Sequence, residues 1–407
     1  MTVFDVLIVG GGHGGAHTAI ALRKAGFSGT VAIVSAENDP PYERPPLSKE
    51  YLSGDRGFER LLIRPAAFWE ENGITLISGT RIETVDADLR VVATASGEQF
   101  GFGVLVWATG GEPRILACAG GRLPGVHAIR SRADVDSLAR DLATAREVVV
   151  IGGGYIGLEA AAVLNKLEKS VSVLEAQDRV LARAAGPDVS RFLEAEHRRR
   201  GVAVHLDAAV AFIEERHGRA AVVVLEDGRR FPADVVIAGI GIEPAIQPLI
   251  AAGAAGGNGV QVDGQCRTSL KDIYAVGDCA QHVNVYAEGR SIRLESVQNA
   301  HDQAAIAARA ILGETVTYTA LPWFWSNQYD LKIQTVGLSS GYDQVVIRGD
   351  PATRSFSAVY LSAGRVIALD CVNAVRDYVQ GRILIEGRIA PDLHRLADGD
   401  IPLKTLA

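Results

Sequence analysis

Cysteine is scarce. Four occur in 407 residues, Cys118, Cys266, Cys279 and Cys371, and no two form a C-x-x-C pair. The set lacks the spacing of a metal site, so no metal ligand is assigned and four reduced thiols, mostly buried, are expected. Long apolar runs are missing too, because Gly, Glu or Arg interrupts each before it reaches the length of a membrane span. The first strand begins almost at Met1, without the charged stretch and apolar core of a secretory signal, and a cytoplasmic protein is expected. An excess of positive charge is also absent. At a net charge of −7 the chain has no general attraction for nucleic acid or acidic membranes. The basic run His197-Arg198-Arg199-Arg200 is read as the solvated end of a helix stopped by Gly201.

What remains is an ordinary globular composition, 48% hydrophobic and 22% charged, at a length that suits two or three domains. Its organising stretch is VLIVGGGHGGAHTAIAL, Val6 to Leu22. A short β-branched apolar run reads as a buried parallel strand. Gly10, Gly12 and Gly15 follow, then an Ala-rich helical stretch. Strand, G-x-G-x-x-G and helix in this order form a dinucleotide-binding fingerprint: a tight turn, close backbone approach to a pyrophosphate, and close helix–strand packing. The free N–H groups at the helix start suit the phosphates.

A second strand, Val31 to Val34, ends near Glu37, where an acid accepts hydrogen bonds from an adenosine ribose. The backbones of Ala36 and Asn38 are the alternative. The loop PPYERPPLSKEYL, Pro40 to Leu52, is too rich in proline for a helix interior or central strand. It is a rigid excursion that can present Arg44 and Lys49 to a bound group, and Pro45-Pro46 can begin a helix. Further strands are expected at Ile74 to Ile77, Val91 to Ala95 and Val104 to Ala108. The last runs into Thr109-Gly110, small residues suited to a cofactor at the sheet edge.

The plan then repeats. EVVVIGGGYIGLEAAAVL, Glu147 to Leu164, carries Gly152, Gly154 and Gly157, and the next strand, Val171 to Leu174, ends in Glu175, 23 residues after Gly152. Val235 to Pro244 parallels the ending at Thr109 to Pro113. Two dinucleotide sites in one chain imply two different dinucleotides, and FAD with NAD(P)H is the pairing that passes hydride. A carboxylate at Glu175 repels a 2′-phosphate, so the second site takes a nicotinamide and prefers NADH, although Arg179 and Arg183 stand just downstream. Later, Gly277-Asp278 ends a strand and aims Asp278 at a polyol hydroxyl. Glu295 to Ala300 opens an Ala-rich helix through Ile311. From Thr315 onward, strands at Leu331 to Val336, Val345 to Arg348, Phe356 to Tyr360 and Arg365 to Asp370, with a helix at Asn373 to Glu386, read as a small α+β domain. Trp323 is expected to pack that domain against the first one; Trp325 stands open between packing and stacking near a flavin.

The whole chain resembles the flavoprotein ferredoxin reductases of bacterial oxygenase systems, which include the putidaredoxin, rubredoxin and aromatic-ring dioxygenase reductases. The resemblance rests on the first fingerprint, PYERPPLSKEYL at Pro41 to Leu52, WATGGEPR at Trp107 to Arg114 and VVIGGGYIGLEAA at Val149 to Ala161. It extends through YAVGDCA at Tyr274 to Ala280, ESVQNA at Glu295 to Ala300 and PWFWSNQYDLKIQTVGL at Pro322 to Leu338. It implies an α/β chain of two Rossmann-like domains and a C-terminal α+β interface domain: FAD-binding at 1–110 and 240–318, NAD-binding at 111–239, and the C-terminal domain at 319–407. It implies FAD contacts from Gly14, Ala36, Arg44, Lys49, Ile82, Arg130, Asp278 and Val297, with Ile82 and Ala36 acting through backbone atoms. It implies NADH contacts from Gly153, Tyr155, Ile156, Glu159, Glu175, Arg183 and Gly239. Lys49 and Glu159 are the catalytic candidates: in the family a lysine at the first position lies by the isoalloxazine and pairs with a glutamate at the second. The implied activity is electron transfer from NADH through FAD to an iron-sulfur ferredoxin that feeds an oxygenase, in aromatic hydrocarbon catabolism.

Glutathione-reductase-like relatives carry a redox cysteine pair after the first fingerprint, and none stands here. An NADH oxidase needs a reactive cysteine by the flavin, and Cys279 has no placed base. A monodehydroascorbate-type reductase or an apoptosis-inducing-factor-like module would share the motifs, and ferredoxin-dependent electron transfer separates them. Arg290, Arg293, Lys332 and Arg376 are candidate docking cations that read equally as surface charge.

Overall fold

The β-branched runs form the strands at the centre of two sheets. The computed structural model describes residues 1–407, which divide into two compact units: 1–44, 57–112 and 243–322 in the first, and 45–56, 113–242 and 323–407 in the second. In the first unit the strand Thr2–Val9 lies parallel between Val31–Val34 and Gln99–Trp107, with Val6 opposite both Val31 and Val104. Ile74–Ile77 adds a parallel outer strand, and Ile273–Ala275 pairs with the carboxyl half of Gln99–Trp107. Both faces of this sheet are covered, which explains why Val6, Leu7, Ile8 and Val9 are all buried and show no alternation. The helix His13–Lys24 packs against Val297–Ile311 beside it.

The second unit repeats the motif. Ala203–His205, Ser170–Leu174, Glu147–Ile151, Val235–Ala238 and Val126–His127 form a five-stranded parallel sheet in that spatial order. Its last third is a five-stranded antiparallel sheet. The order is Trp323–Gln328, Leu331–Gly337, Arg365–Val372, Ser355–Ser362 and Gln344–Asp350, and the helix Val375–Glu386 lies on it with Gly381 directly over Leu369. Arg348 is buried in this part. Its guanidinium pairs with Asp377 at 3.0 Å and donates to the carbonyls of Leu396, Asp398, Gly399 and Ile401, which ties down the final segment of the chain.

Several expectations need adjustment. The strand expected from Val104 begins at Gln99, because the apolar core extends through Phe100 and Phe102. The helix placed at Asn373 begins at Val375; Asn373 instead adopts a positive φ of 50° and caps the neighbouring strand through Lys332 N–H. Residues 45–56, assigned to the first segment, cluster with the second unit. The basic run is also misread in part. The helix does end at Arg199, and Gly201 has φ +91°, but His197 is fully buried, with its imidazole 2.9 Å from Gln328 Oε1 and 3.1 Å from the Tyr329 hydroxyl. Arg199 and Arg200 pair with the buried Glu196 and Arg198 with Glu194, while the Arg198 and Arg199 side chains stay exposed. No helix is long and apolar enough to cross a membrane.

In the first unit His282 sits between the side-chain amides of Asn284 and Gln303, each at 3.2 Å, and burial pushes its imidazole down to about 4 from 6.5. The folded chain therefore resists a proton that the unfolded chain accepts. Stability should fall as pH drops from about 6.5 toward 4, by up to about 3 kcal/mol from this group. Urea unfolding across that range should show a shallower slope for His282→Asn; equal slopes would assign the effect elsewhere.

Candidate dinucleotide and ion-pair sites

The first cradle lies where Thr2–Val9 turns into His13–Lys24. Gly10 has φ +114°, and a Cβ there would lie 2.3 Å from the Ala108 carbonyl oxygen. A Cβ on Gly15 would lie 1.9 Å from the Gly10 carbonyl oxygen. Gly14 faces Val276. Gly12 faces the Arg44 guanidinium, and a Cβ on it would lie 3.7 Å from Arg44 Nε. These glycines leave a bare-backbone hollow at the helix N-terminus, the shape and polarity that a dinucleotide pyrophosphate takes. Glu37 stands just past the end of its strand, accepts from the Tyr42 hydroxyl and pairs with Arg44 at 2.5 Å, so the expected ribose acid and the loop cation expected to face a bound group are one linked group. Ala36 beside it is exposed, whereas Ile82 is buried in the core.

Beside Gly10, at the carboxyl end of the neighbouring strand, the Thr109 hydroxyl donates to the Ala245 carbonyl at 2.7 Å, and Gly110 turns with φ +64°. Gly277 has φ +79° and leaves Asp278 partly exposed, its carbonyl accepting from Arg293 at 3.0 Å. Glu295 is exposed and pairs with Arg293 at 2.8 Å. Val297 is the first residue of the helix capped by the Ser296 hydroxyl, which accepts from Asn299 N–H. Cys279 is fully buried, and burial pushes its thiol up to about 11, which removes the thiolate a peroxidase-type site requires.

The second cradle has the same design. Gly152 turns with φ +105°, a Cβ on it would lie 2.5 Å from the Gly239 carbonyl oxygen, and one on Gly157 would lie 2.2 Å from the Gly152 carbonyl oxygen. Gly154 precedes the helix Tyr155–Lys166. Glu175 bends back over this turn: one carboxylate oxygen accepts from Gly153 N–H at 2.7 Å and the other from Gln177 N–H at 2.8 Å. Ile156 is exposed at the helix start, and the Tyr155 ring packs edge-on against Phe324 at 4.8 Å. Of the two downstream arginines, Arg183 is exposed. Arg179 is committed to its own loop, donating to Ala182 and Ala185 carbonyls and to the Ser190 hydroxyl.

Also in the second unit, Lys49 and Glu159 meet. Lys49 Nζ lies 2.6 Å from Glu159 Oε2 and donates to the Pro45 carbonyl at 2.9 Å; the side chains are 12% and 5% exposed. The Pro45–Ser48 turn holds Lys49 in place, and Glu159 lies one turn into its helix. Two hydroxyls not singled out in the sequence complete the group. Ser48 donates to Oε2 and Ser326 to Oε1 of Glu159, each at 2.6 Å. Each serine lies inside a recognised motif, but they stand 111 and 167 residues from Glu159, and only the fold brings them to one carboxylate. Arg130 lies in this unit too, partly buried just before the helix Arg132–Leu142. The Trp325 ring lies 5.6 Å from Trp323, which in turn meets Tyr378 at 6.1 Å, contacts that lie within the C-terminal part itself.

Comparison with known proteins agrees with this geometry. Residues 4–304 match the pyridine nucleotide-disulphide oxidoreductase family, and residues 323–407 match the reductase C-terminal family. The ferredoxin reductase subunit of a 5,5'-dehydrodivanillate O-demethylase from a Sphingobium species is 56% identical over 407 residues, covering 100% of this chain and 99% of that protein. A solved ferredoxin reductase from Rhodopseudomonas palustris superposes with a TM-score of 0.95 at 38% identity, over 99% of this chain and 100% of that one. The reductase in a covalent putidaredoxin reductase–putidaredoxin complex gives 0.94 at 38% identity, over 98% and 97%.

Proposed function

The chain belongs to the pyridine nucleotide-disulphide oxidoreductase family, and from that premise we propose that it passes electrons from NADH through FAD to an iron-sulfur ferredoxin serving an oxygenase. The observation that carries this reading is a pair of glycine cradles of one design in one chain, with a buried lysine–carboxylate pair and no reactive thiol. FAD supplies the centre that takes hydride and gives up single electrons. Such a transfer needs positioning and charge rather than an acid–base pair.

The chain's own residues supply both. Gly10, Gly12, Gly14, Gly15, Ala36, Glu37, Arg44 and Ile82 would hold the FAD diphosphate and adenosine. Thr109, Gly110, Arg130, Gly277, Asp278, Glu295, Val297 and Trp325 would line the rest. Gly152, Gly153, Gly154, Tyr155, Ile156, Gly157, Glu175, Arg183 and Gly239 would hold NADH. Lys49 is a fixed cation, locked between Glu159 and the Pro45 carbonyl. Glu159 is oriented by two serine hydroxyls and that lysine. We assign FAD binding to 1–110 and 240–318, NAD binding to 111–239 and the interface role to 319–407. The relatives' names point to an oxygenase acting on aromatic compounds, and a cytoplasmic location fits the four free thiols.

The test is an anaerobic titration of purified protein with NADH, followed by visible absorption. About one equivalent should bleach the flavin band, and NADPH should act far more weakly. A yellow protein that NADH leaves unbleached would overturn the reading. The Glu175 carboxylate is the specificity element. Glu175→Ala should raise the NADPH-to-NADH ratio of kcat/KM by at least about tenfold, since about 1.4 kcal/mol of lost repulsion suffices. An unchanged ratio would remove that role.

A further inference from the structure

The helices His13–Lys24 and Val297–Ile311 of the first unit bring three histidines together. His13 and His17 are four residues apart on one helix and so share a face; His301 comes from the other. His13 Nδ1 lies 3.2 Å from His301 Nε2, the His17 and His301 ring centroids are 3.6 Å apart, and one nitrogen from each ring falls within 4.8 Å of the others. All three rings are half-buried, so the cluster is open to solvent on one side. No carboxylate or thiol belongs to it.

We propose that His13, His17 and His301 form a binding site for a borderline divalent cation of the zinc, copper or nickel class. At a metal–nitrogen distance of about 2.05 Å, two imidazole nitrogens on a tetrahedral ion stand about 3.35 Å apart. The His13–His301 separation is already close to that value; the His17 ring, packed on His301 with the planes 34° apart, has to turn its lone pair toward the ion and move its nitrogen by about 1.5 Å or less. Three imidazoles without an oxygen ligand exclude calcium and magnesium and select the borderline metals. Water from the open side completes the coordination. Arg64 and Lys24 bear on His17 while Asp302 bears on His301, so the local charge is not strongly negative and the site is weaker than a closed cysteine site. The sequence assigned no metal because His13 and His301 are 288 residues apart.

Occupancy has a consequence at the neighbouring cradle. His13 Nε2 accepts from the Arg44 backbone N–H at 3.3 Å. An imidazole that binds a metal through Nδ1 carries its proton on Nε2. Two N–H groups then face each other, the link to Arg44 breaks, and the hold on FAD at Gly12 weakens.

The site is tested by titrating the FAD-loaded protein with zinc chloride in a calorimeter. One zinc per chain should bind, and His17→Ala and His301→Gln should each weaken it at least about tenfold while flavin content and melting temperature report that both variants are folded. No zinc uptake, or uptake unchanged in both variants, would overturn the site. His17→Asn provides a second small replacement should the alanine variant fail to fold. Copper(II) spectra of the loaded protein should show several nitrogen ligands, lost in His301→Gln; an oxygen-only signature would overturn the assignment. FAD release, read as the rise of free-flavin fluorescence, should be several-fold faster with zinc bound, and an equal rate in a zinc-saturated sample would overturn the link through Arg44.

Discussion

Replacing Lys49 by methionine should slow reduction of the bound flavin by NADH about a hundredfold, the scale seen when one fixed stabiliser of developing charge is removed. Methionine keeps most of the stem and removes the charge. The pair it breaks is buried, and removing one partner of such a pair ordinarily costs about 3–5 kcal/mol because the other charge is stranded. Here the stranded group is Glu159, and it keeps the Ser48 and Ser326 hydroxyls at 2.6 Å. The loss of stability should therefore fall below that range, leaving a folded, yellow protein whose defect is kinetic. Stopped-flow absorbance at constant FAD content is the measurement. An unchanged rate would show that Lys49 holds Glu159 in place and does nothing for the flavin. Glu159→Gln then separates the roles: its amide oxygen still accepts from Ser48 and Lys49, its NH2 turns the Ser326 hydroxyl from donor to acceptor, and the charge is gone, so a rate close to the parent's would assign the effect to Lys49 alone.

The other large effect is a contrast between two glycines. Alanine in a helix is ordinarily favoured over glycine by about 1 kcal/mol. At Gly15, however, the new methyl would stand 1.9 Å from the Gly10 carbonyl oxygen, and at Gly157 it would stand 2.2 Å from the Gly152 carbonyl oxygen. Both contacts are with backbone, which cannot rotate aside. Helix and strand must part, and the hollow at the helix N-terminus opens with them. Gly15→Ala should yield a colourless or insoluble protein. Gly157→Ala should stay yellow and lose NADH affinity by more than about a hundredfold, with dithionite still bleaching the flavin. A yellow Gly15→Ala protein with weakened NADH binding would exchange the two cofactor assignments.

The two cradles were legible because each is local: strand, three glycines and helix lie within some twenty residues, and the helix-start hollow follows from the backbone. Glu175 was legible for the same reason, since a single helix and strand separate it from Gly153. Contacts between distant segments were not. Ser48 and Ser326 reach Glu159 from 111 and 167 positions away, and the histidine cluster spans 288. The run at His197 misled because its four residues look alike in the sequence. On the helix they point in different directions, and a neutral imidazole can be buried where Gln328 and Tyr329 meet it. The loop 45–56 was assigned by its position in the chain, whereas Ser48 and Lys49, bonded to Glu159, draw it into the second unit.

The C-terminal sheet holds the parallel part of its unit through a set of polar contacts. Tyr360 receives a hydrogen bond from Gly186 N–H at 3.0 Å and donates to the buried Asp370, Gln328 meets His197, Ser326 meets Glu159, and Arg354 reaches Glu196. These side chains are mutually fitted, so the segment is not an interchangeable module. A chimera that grafts residues 323–407 of a relative onto this scaffold, in order to change which ferredoxin it serves, inherits a foreign set of partners for Glu159, Gly186, Glu196 and His197. Successful exchange has to transplant both sides of that seam together.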